Sequence, residues 1–377
     1  MSFTSIIFLK KKVFLLPMPS PLIYFTEGTR ILLSSLKQRI LPKKYEGSAE
    51  EICKQIAKDC WNGRYFQTST GNFSQFCTRD FGWCTHGLLK LGYHKEVHHT
   101  LRYALNRFKE KKKITTTITP RGKPFDFPLP AVDSLPWLLH SIRLAKFPIY
   151  DLKGFLNSRV EDFFNHFIDV QTGLVKPNLH VSSMKDLAVR KSSCYDNCMV
   201  GMLAQDLSVL QLKNPFEKYD YSSLLHRHFW NGEFFYDDLT KKNNVAGDAQ
   251  IFPFLTGLCK NQEMLEKTIK KVQEAGLDNL FPLKYTAKRN EAVFIIQELP
   301  VYNYEGSSIW THMGPLWIKL VKEVDKKKAA EYTSAYRTWI EKHQNYLEVF
   351  TSRGKPYGTP FYRCDSGMLW AVNYLEL

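Results

Sequence analysis

Cysteine is scarce in this chain, and its spacing suits no structural site. Eight cysteines in 377 residues fall far short of disulfide-scaffold density. Cys194 and Cys198 lie four apart and Cys77 and Cys84 seven apart, so there is no CxxC pair for a zinc ribbon, and no HExxH occurs. His98-His99 and His226/His228 read as surface or hydrogen-bonded residues rather than ligands, and no metal or cofactor is expected. Long hydrophobic runs are missing too. None approaches the ~20 residues of a membrane span. No strand leads through a glycine-rich loop into a helix, which removes support for Rossmann and P-loop readings. No Pro/Ser-rich linker divides the chain, which argues for one cooperative domain.

What is present is charge of one sign and many rings. Lys and Arg number 52 against 37 Asp and Glu, a net charge of +15. Much of the excess sits in short runs, Lys10 to Lys12, Lys111 to Lys113 and Lys326 to Lys328, which suit solvated turns and helix ends. A basic, non-catalytic helical protein that binds nucleic acid stays open as an alternative, although no RGG tract, RNP strand or zinc knuckle supports it. The N-terminus alternates apolar stretches (Ile6 to Leu9, Val13 to Leu16) with those lysines. Pro17, Pro19 and Pro21 interrupt it and no small-residue cleavage site follows, so a cytoplasmic, reduced protein is expected.

From Ser48 onward, segments of helical periodicity alternate with Gly-, Pro- or aromatic-rich loops. Ser48 with Glu51 forms a capping box opening a helix to Trp61. Further helices are expected at Asp80–Leu91, Lys95–Phe108, Asp133–Ala145, Leu152–Asp169, Ser193–Leu212, Tyr221–Phe229, Gly247–Leu258, Gln262–Ala275, Ser307–Val324, Lys327–Tyr346 and Asp365–Leu375. Strand signals are few: Ile114–Thr119, Phe234–Tyr236 and Ala292–Ile296. About twelve paired helices fit an all-α (α/α)6 toroid with a central loop-lined cleft. An open solenoid fits the count equally, though the lack of a fixed-period repeat disfavours a regular array. The expected division is an N-terminal extension over 1–45 and a single barrel over 46–377.

Aromatic residues, 14% of the chain, gather with carboxylates in the loops before helices. Phe73, Phe76, Phe81 and Trp83 surround Arg79-Asp80; Trp137 follows Asp133; Trp230 precedes Gly232; Tyr302, Tyr304 and Trp310 flank Glu305; Tyr357, Phe361 and Tyr362 follow Glu348. For any single ring, core packing explains its presence. Five loops that each pair a ring with a carboxylate suit a polyol, since rings stack on sugar C–H faces and carboxylates accept from hydroxyls.

The segment Phe76-Cys-Thr-Arg-Asp-Phe-Gly-Trp-Cys-Thr-His-Gly-Leu-Leu-Lys-Leu-Gly92 resembles the Arg-Asp segment of the six-hairpin glycosidases, the superfamily of glucoamylases, amylo-α-1,6-glucosidases and neutral/alkaline invertases. Pro130-Ala-Val-Asp-Ser-Leu-Pro-Trp-Leu-Leu139 is similar to the segment in which an aspartate opens an apolar helix. Phe229-Trp-Asn231, Asp248-Ala-Gln-Ile-Phe-Pro253 and Tyr304-Glu-Gly-Ser-Ser-Ile-Trp310 also look like family segments, as does Tyr346-Leu-Glu-Val-Phe-Thr-Ser-Arg-Gly-Lys-Pro-Tyr-Gly358. The resemblance covers roughly Gly71 to Leu377. It implies an inverting glycoside hydrolase acting on an α-glucoside or short α-glucan, with Asp133 as general acid and Glu348 as general base. Arg79, Asp80, Trp83, Asp196, Trp230, Asp248, Glu305 and Trp310 are the expected substrate-binding residues. The apolar neighbours of Asp133 should raise its pKa, and Arg353 and Lys355 near Glu348 would favour its anion. A phosphorylase or another carbohydrate-active helical-barrel enzyme is the alternative within enzymes. The chain departs from the pattern in being shorter than most members, and in placing Cys84 and Cys194 where other small or polar residues are expected.

Overall fold

The computed structural model describes residues 21–377. The Lys10 to Lys12 run and the apolar stretches around it lie outside the described residues. Thirteen α-helices occur among those described: α1 (Pro21–Ile40), α2 (Ala49–Cys60), α3 (Thr78–Lys90), α4 (His94–Lys111), α5 (Ser134–Leu144), α6 (Lys153–Phe167), α7 (Cys194–Leu210), α8 (Tyr221–Phe229), α9 (Gly247–Leu255), α10 (Gln262–Glu274), α11 (Met313–Val324), α12 (Lys326–His343) and α13 (Ala371–Tyr374). Their packing closes a ring. α3 packs on α5, α5 on α7, α7 on α9, α9 on α11, α11 on α13, and α13 back on α3. The other helices from α2 to α12 form an outer layer, each against its inner neighbours, and α2 bridges α12 and α13. This is the six-hairpin (α/α)6 toroid, and the open solenoid is set aside.

Layer follows sequence pattern. In outer helix α2 the buried positions are Ala49, Ile52, Cys53, Ile56, Ala57 and Cys60, the one-sided spacing of a helix with a solvent face. The expected capping box is present, with Ser48 accepting from the Glu51 amide and Glu51 accepting from Ser48 N–H. Inner helix α7 instead buries twelve consecutive or nearly consecutive positions from Cys194 to Leu207, as a helix enclosed on all sides must. Each aliphatic side chain so buried contributes about 1.5–3 kcal/mol. Inner helices approach closely at Gly82, where an added Cβ would fall 2.6 Å from the Cβ of Trp137, so α3 and α5 could not keep this contact with any other residue.

Strands are minor. β1 (Phe76–Cys77), β2 (Thr117–Ile118) and β3 (Pro124–Phe125) form an antiparallel sheet, and β4 (Ile309–Trp310) pairs with β5 (Val349–Phe350). Three outer helices end in short hairpins: the bridges Trp61↔Phe66 and Trp230↔Phe235 close turns of equal length, and Ile168↔Val175 closes one two residues longer. In two of them an asparagine, Asn62 or Asn231, accepts from the two amides that follow the turn.

Three local expectations are corrected. The apolar run at 292–296 makes no ladder: a single bridge, Ala188↔Phe294, holds it beside 3₁₀ turns, with Val293 and Ile296 left exposed. The helix expected from Ser307 starts at Met313, because Ile309 and Trp310 are drawn into pairing with Phe350 and Val349. The helix expected from Asp365 begins only at Ala371, since the Asp365 carboxylate is engaged by backbone amides of a distant loop.

Candidate active site

Alternating hairpins make the inner helices parallel, so their N-termini share one end of the ring. That end carries Asp80 in the first turn of α3, Asp133 just before α5, Asp196 in the first turn of α7 and Asp248 in that of α9. Carboxylates there are stabilised by the helix dipoles, by about 0.3–1 kcal/mol each when exposed and more when partly buried. All four are buried.

Asp133 occupies the N-cap position of α5 but makes no capping hydrogen bond. Its Oδ2 instead accepts from Arg79 Nε at 2.6 Å and from the Tyr195 hydroxyl at 2.9 Å, while Oδ1 is buried without a partner. Burial raises its pKa, and Arg79 and Tyr195 oppose the rise. Arg79 also reaches Asp186 Oδ1 at 3.2 Å.

Glu348 is equally enclosed and more fully bonded. Tyr304 donates to Oε1, and Tyr362 and the Asp365 amide donate to Oε2, the last two at 2.6 and 2.9 Å. Burial and the adjacent Asp365 carboxylate push Glu348 up to about 8, against those three donors. This corrects the expectation that Arg353 and Lys355 keep it anionic: both side chains are exposed, and the carboxylate beside Glu348 acts in the opposite sense.

A continuous path joins the two corners. Glu305 accepts from the amides of Asp186 and Leu187, both at 2.7 Å, and its neighbour Tyr304 donates to Glu348. Burial and Asp186 push Glu305 up to about 8. Glu305 thus anchors the segment that carries Arg79's second partner. Asp248 is held by Lys185 at 3.2 Å and Arg190 at 2.7 Å, with Asp237 shared by the same two cations. Asp196 bonds Ser193 through Oδ2, leaves Oδ1 buried and unpartnered, and is raised to about 6 by burial. Asp80 accepts from Trp370 Nε1 at 2.6 Å and is not the cap of its helix, a position Cys77 holds.

Rings fill the space between. His312 stacks on Trp83 with centroids 4.6 Å apart and lies 5.2 Å from Trp310 and 4.9 Å from Trp370. Burial and Arg79 hold His312 well below its ordinary pKa, so it is neutral. Trp310 donates to the Tyr304 carbonyl. Above them runs the 182–190 segment. Met184 Sδ sits 3.3 Å from His312 Nε2, its carbonyl accepts from Tyr285, and the Lys185 ammonium is fully buried.

The ring therefore gathers Arg79, Asp80, Trp83, Asp133, Asp196, Asp248, Glu305, Trp310 and Glu348 around one end. Trp230 stands apart: it follows α8 and packs on Phe235, 5.0 Å away, in the repeated hairpin, so Phe229-Trp-Asn231 is a turn motif. Residues that sequence reasoning did not single out for the site include Tyr195, Asp186, Lys185, Arg190, His312, Asp365 and Trp370; Tyr362 was expected only as a ring near Glu348. Asp365, bound by the Asn72 and Phe73 amides at 2.6 and 3.0 Å, depends on a loop some 290 positions away, and no local pattern marks it. Among the described residues no cluster of His, Cys, Asp and Glu is arranged to hold a metal ion.

Comparison with known proteins bears on the fold. No family model matches the chain, and no curated protein matches it either. Solved structures do. A glycosidase superposes with a TM-score of 0.63 at 12% identity, over 93% of this chain and 96% of its own. The GH63 mannosylglycerate hydrolase from Thermus thermophilus, solved with Tris and D-glycerate, gives 0.57 at 11% identity over 87% of this chain and all of its own. A bacterial glucoamylase complexed with acarbose gives 0.59 at 11% identity, over 86% of this chain and 54% of its own. The chain has the (α/α)6 fold of these glycosidases.

Proposed function

We propose that this protein is a glycoside hydrolase that uses Asp133 and Glu348 as its pair of carboxyl groups. The observation that carries the reading is the path Asp133–Arg79–Asp186–Glu305–Tyr304–Glu348, with both acids and Glu305 buried and the links between them partly so, which ties the two acids across a ring-lined end of the barrel. Hydrolysis needs one carboxyl group to protonate the leaving oxygen and another to activate water. Asp133 is assigned as the acid: its Oδ1 is free to present a proton while Oδ2 is fixed by Arg79 and Tyr195. Glu348 is assigned as the base, held in place by two tyrosines. The substrate class is an α-glucoside or short α-glucan with inversion, and Asp80, Asp196 and Asp248 would accept from its hydroxyls.

The cations of this end argue against the phosphorylase alternative. Arg79, Lys185 and Arg190 are each matched to carboxylates, which opposes the binding of a free phosphate.

The test is sugar release from a panel of maltooligosaccharides, isomaltose, trehalose and sucrose. Asp133→Asn and Glu348→Gln should each cost about 10²–10⁴-fold in turnover, with the folding transition retained. Since Glu348 titrates near 8, a base at this position makes the rate climb with pH through that value. A rate that falls there instead would exchange the two roles, and activity untouched by both substitutions would dismiss the reading.

A further inference from the structure

Helix α1 is amphipathic the wrong way round. At about 3.6 residues per turn, Leu22, Phe25, Leu32, Leu33, Leu36 and Ile40 share an arc of roughly 100°, and all six are exposed, Phe25 by 73% and Ile40 by 77%. The opposite arc faces the barrel and is mostly polar, with Ile31 packed on the core. Tyr24 donates to the carbonyls of Asp126 and Pro128, Arg30 to Asn72, Ser74 and Gln75, and Gln38 to Asn72 and Asp365, while Ser35 accepts from the Arg363 amide. A helix on a water-facing protein buries its apolar stripe and exposes its polar one. Here the order is reversed, so the stripe faces outward by construction and not through poor packing.

The charges beside the stripe have one sign. Lys37 and Arg39 flank it on either side, and Lys44 follows it beside Lys43, which pairs with Asp59 at 2.6 Å; all four cations are exposed. Within 21–45 the sole acidic residue, Glu27, is buried and paired with Arg30 at 2.8 Å. The preceding twenty residues add Lys10 to Lys12 and no acid. The apolar surface also continues past the helix. Arg39 donates to the carbonyls of Thr359 and Tyr362, and Thr359 donates to Pro300. That places exposed Phe361, Leu299 and Ile296 beside the C-terminal end of α1, next to the loops that hold Glu348.

We propose that this face, α1 with the adjoining 296–302 and 361 loops, docks on an anionic lipid membrane. An exposed apolar stripe bordered by Lys and Arg and free of acidic residues matches an interfacial helix lying in the headgroup plane. It fits a second copy of the chain poorly, since isologous contact would bring Lys37, Arg39 and Lys44 of the two copies together.

The test is flotation of the full-length chain with vesicles of phosphatidylcholine alone or with about 30% phosphatidylserine, at low and high salt. The chain should partition onto the anionic vesicles about tenfold or more better than onto neutral ones, and less at high salt. Replacing the stripe (Phe25→Ser, Leu33→Ser and Ile40→Ser together) should reduce that partition at least about tenfold, with the circular dichroism and melting point kept. Should the triple variant fail to fold, Phe25→Ser alone should still lower it about threefold. Wild-type protein that ignores anionic vesicles overturns the proposal. So does a dimer in light scattering that the triple variant abolishes, or vesicle binding that no stripe substitution changes. None of these readouts depends on glycoside hydrolysis.

Discussion

The Asp133 and Glu348 corners are equally buried and differently bonded. Asp133 balances its charge with a cation: Arg79 lies 2.6 Å from one oxygen, and the other oxygen has no partner. Glu348 has no cation among its partners; two tyrosines and an amide saturate both oxygens, and a second carboxylate sits beside it. The first arrangement leaves one buried oxygen without a hydrogen-bond partner. The second fixes the side chain through three donors. Two acids can thus be held apart in protonation behaviour by the nature of their partners, with burial common to both.

The strongest way to break the contrast is to remove the cation. Arg79→Met should leave Asp133 and Asp186 without their shared partner and destabilise the fold by about 3–5 kcal/mol, as an uncompensated buried charge does. Urea unfolding near neutral pH measures it. A loss below about 1 kcal/mol, the range of exposed pairs, would mean that Asp133 already holds its proton in the resting protein and would remove the contrast between the corners; the larger loss means that the assigned acid takes up its proton only when the substrate binds.

The next test is pH. Glu348 titrates near 4.5 in the unfolded chain and about 8 in the folded protein, so between those values the folded state binds the extra proton. Its contribution to stability is therefore complete below about 4.5 and lost as pH rises through about 8, with a slope of up to about 1.4 kcal/mol per unit. Glu348→Gln cannot ionise and should flatten the fall of stability between pH 5 and 8 by up to that amount. Glu305, also near 8, keeps part of the slope in the variant. An unchanged slope would show that Glu348 is already anionic in that range, as its three donors alone would make it.

The toroid was legible in the chain because outer helices announce themselves. Ser48 with Glu51, and the spacing of Ile52, Ile56 and Cys60, define α2 without further help, and helices of both layers fell close to their expected positions. Most of the expected carboxylates also lie at one end of the ring, since an inner helix that begins there brings its first-turn acid with it. Three kinds of feature were not legible. Pairings across the ring, such as Asp365 with Asn72 or Asp186 with Glu305, use backbone amides and leave no mark on residue type. Trp230 shares its sequence context with the site rings, and what separates it is a turn repeated after Trp61. Helix α1 was not expected, and its periodicity alone could not have told which face is outward, since an apolar stripe elsewhere in the chain marks a core contact.

The finest test concerns a single hydroxyl. Tyr304 is the point at which the path from Asp133 reaches Glu348, and its hydroxyl donates to Oε1. Tyr304→Phe keeps the ring, which packs on Trp310 at 4.6 Å and Tyr362 at 5.5 Å, and removes only the donor. Both forms of Glu348 keep the Tyr362 and Asp365 contacts, but the anion loses more than the neutral acid, because hydrogen bonds to a charged acceptor are the stronger ones. Stability should drop by about 1 kcal/mol near neutral pH, and the pKa of Glu348 should move further up from about 8. The stability loss should therefore grow above pH 8 and shrink towards pH 5, where the wild-type carboxyl group is already protonated. A loss independent of pH would mean that the hydroxyl does not distinguish the two forms of Glu348, leaving Tyr304 a packing residue and cutting the path between the two corners.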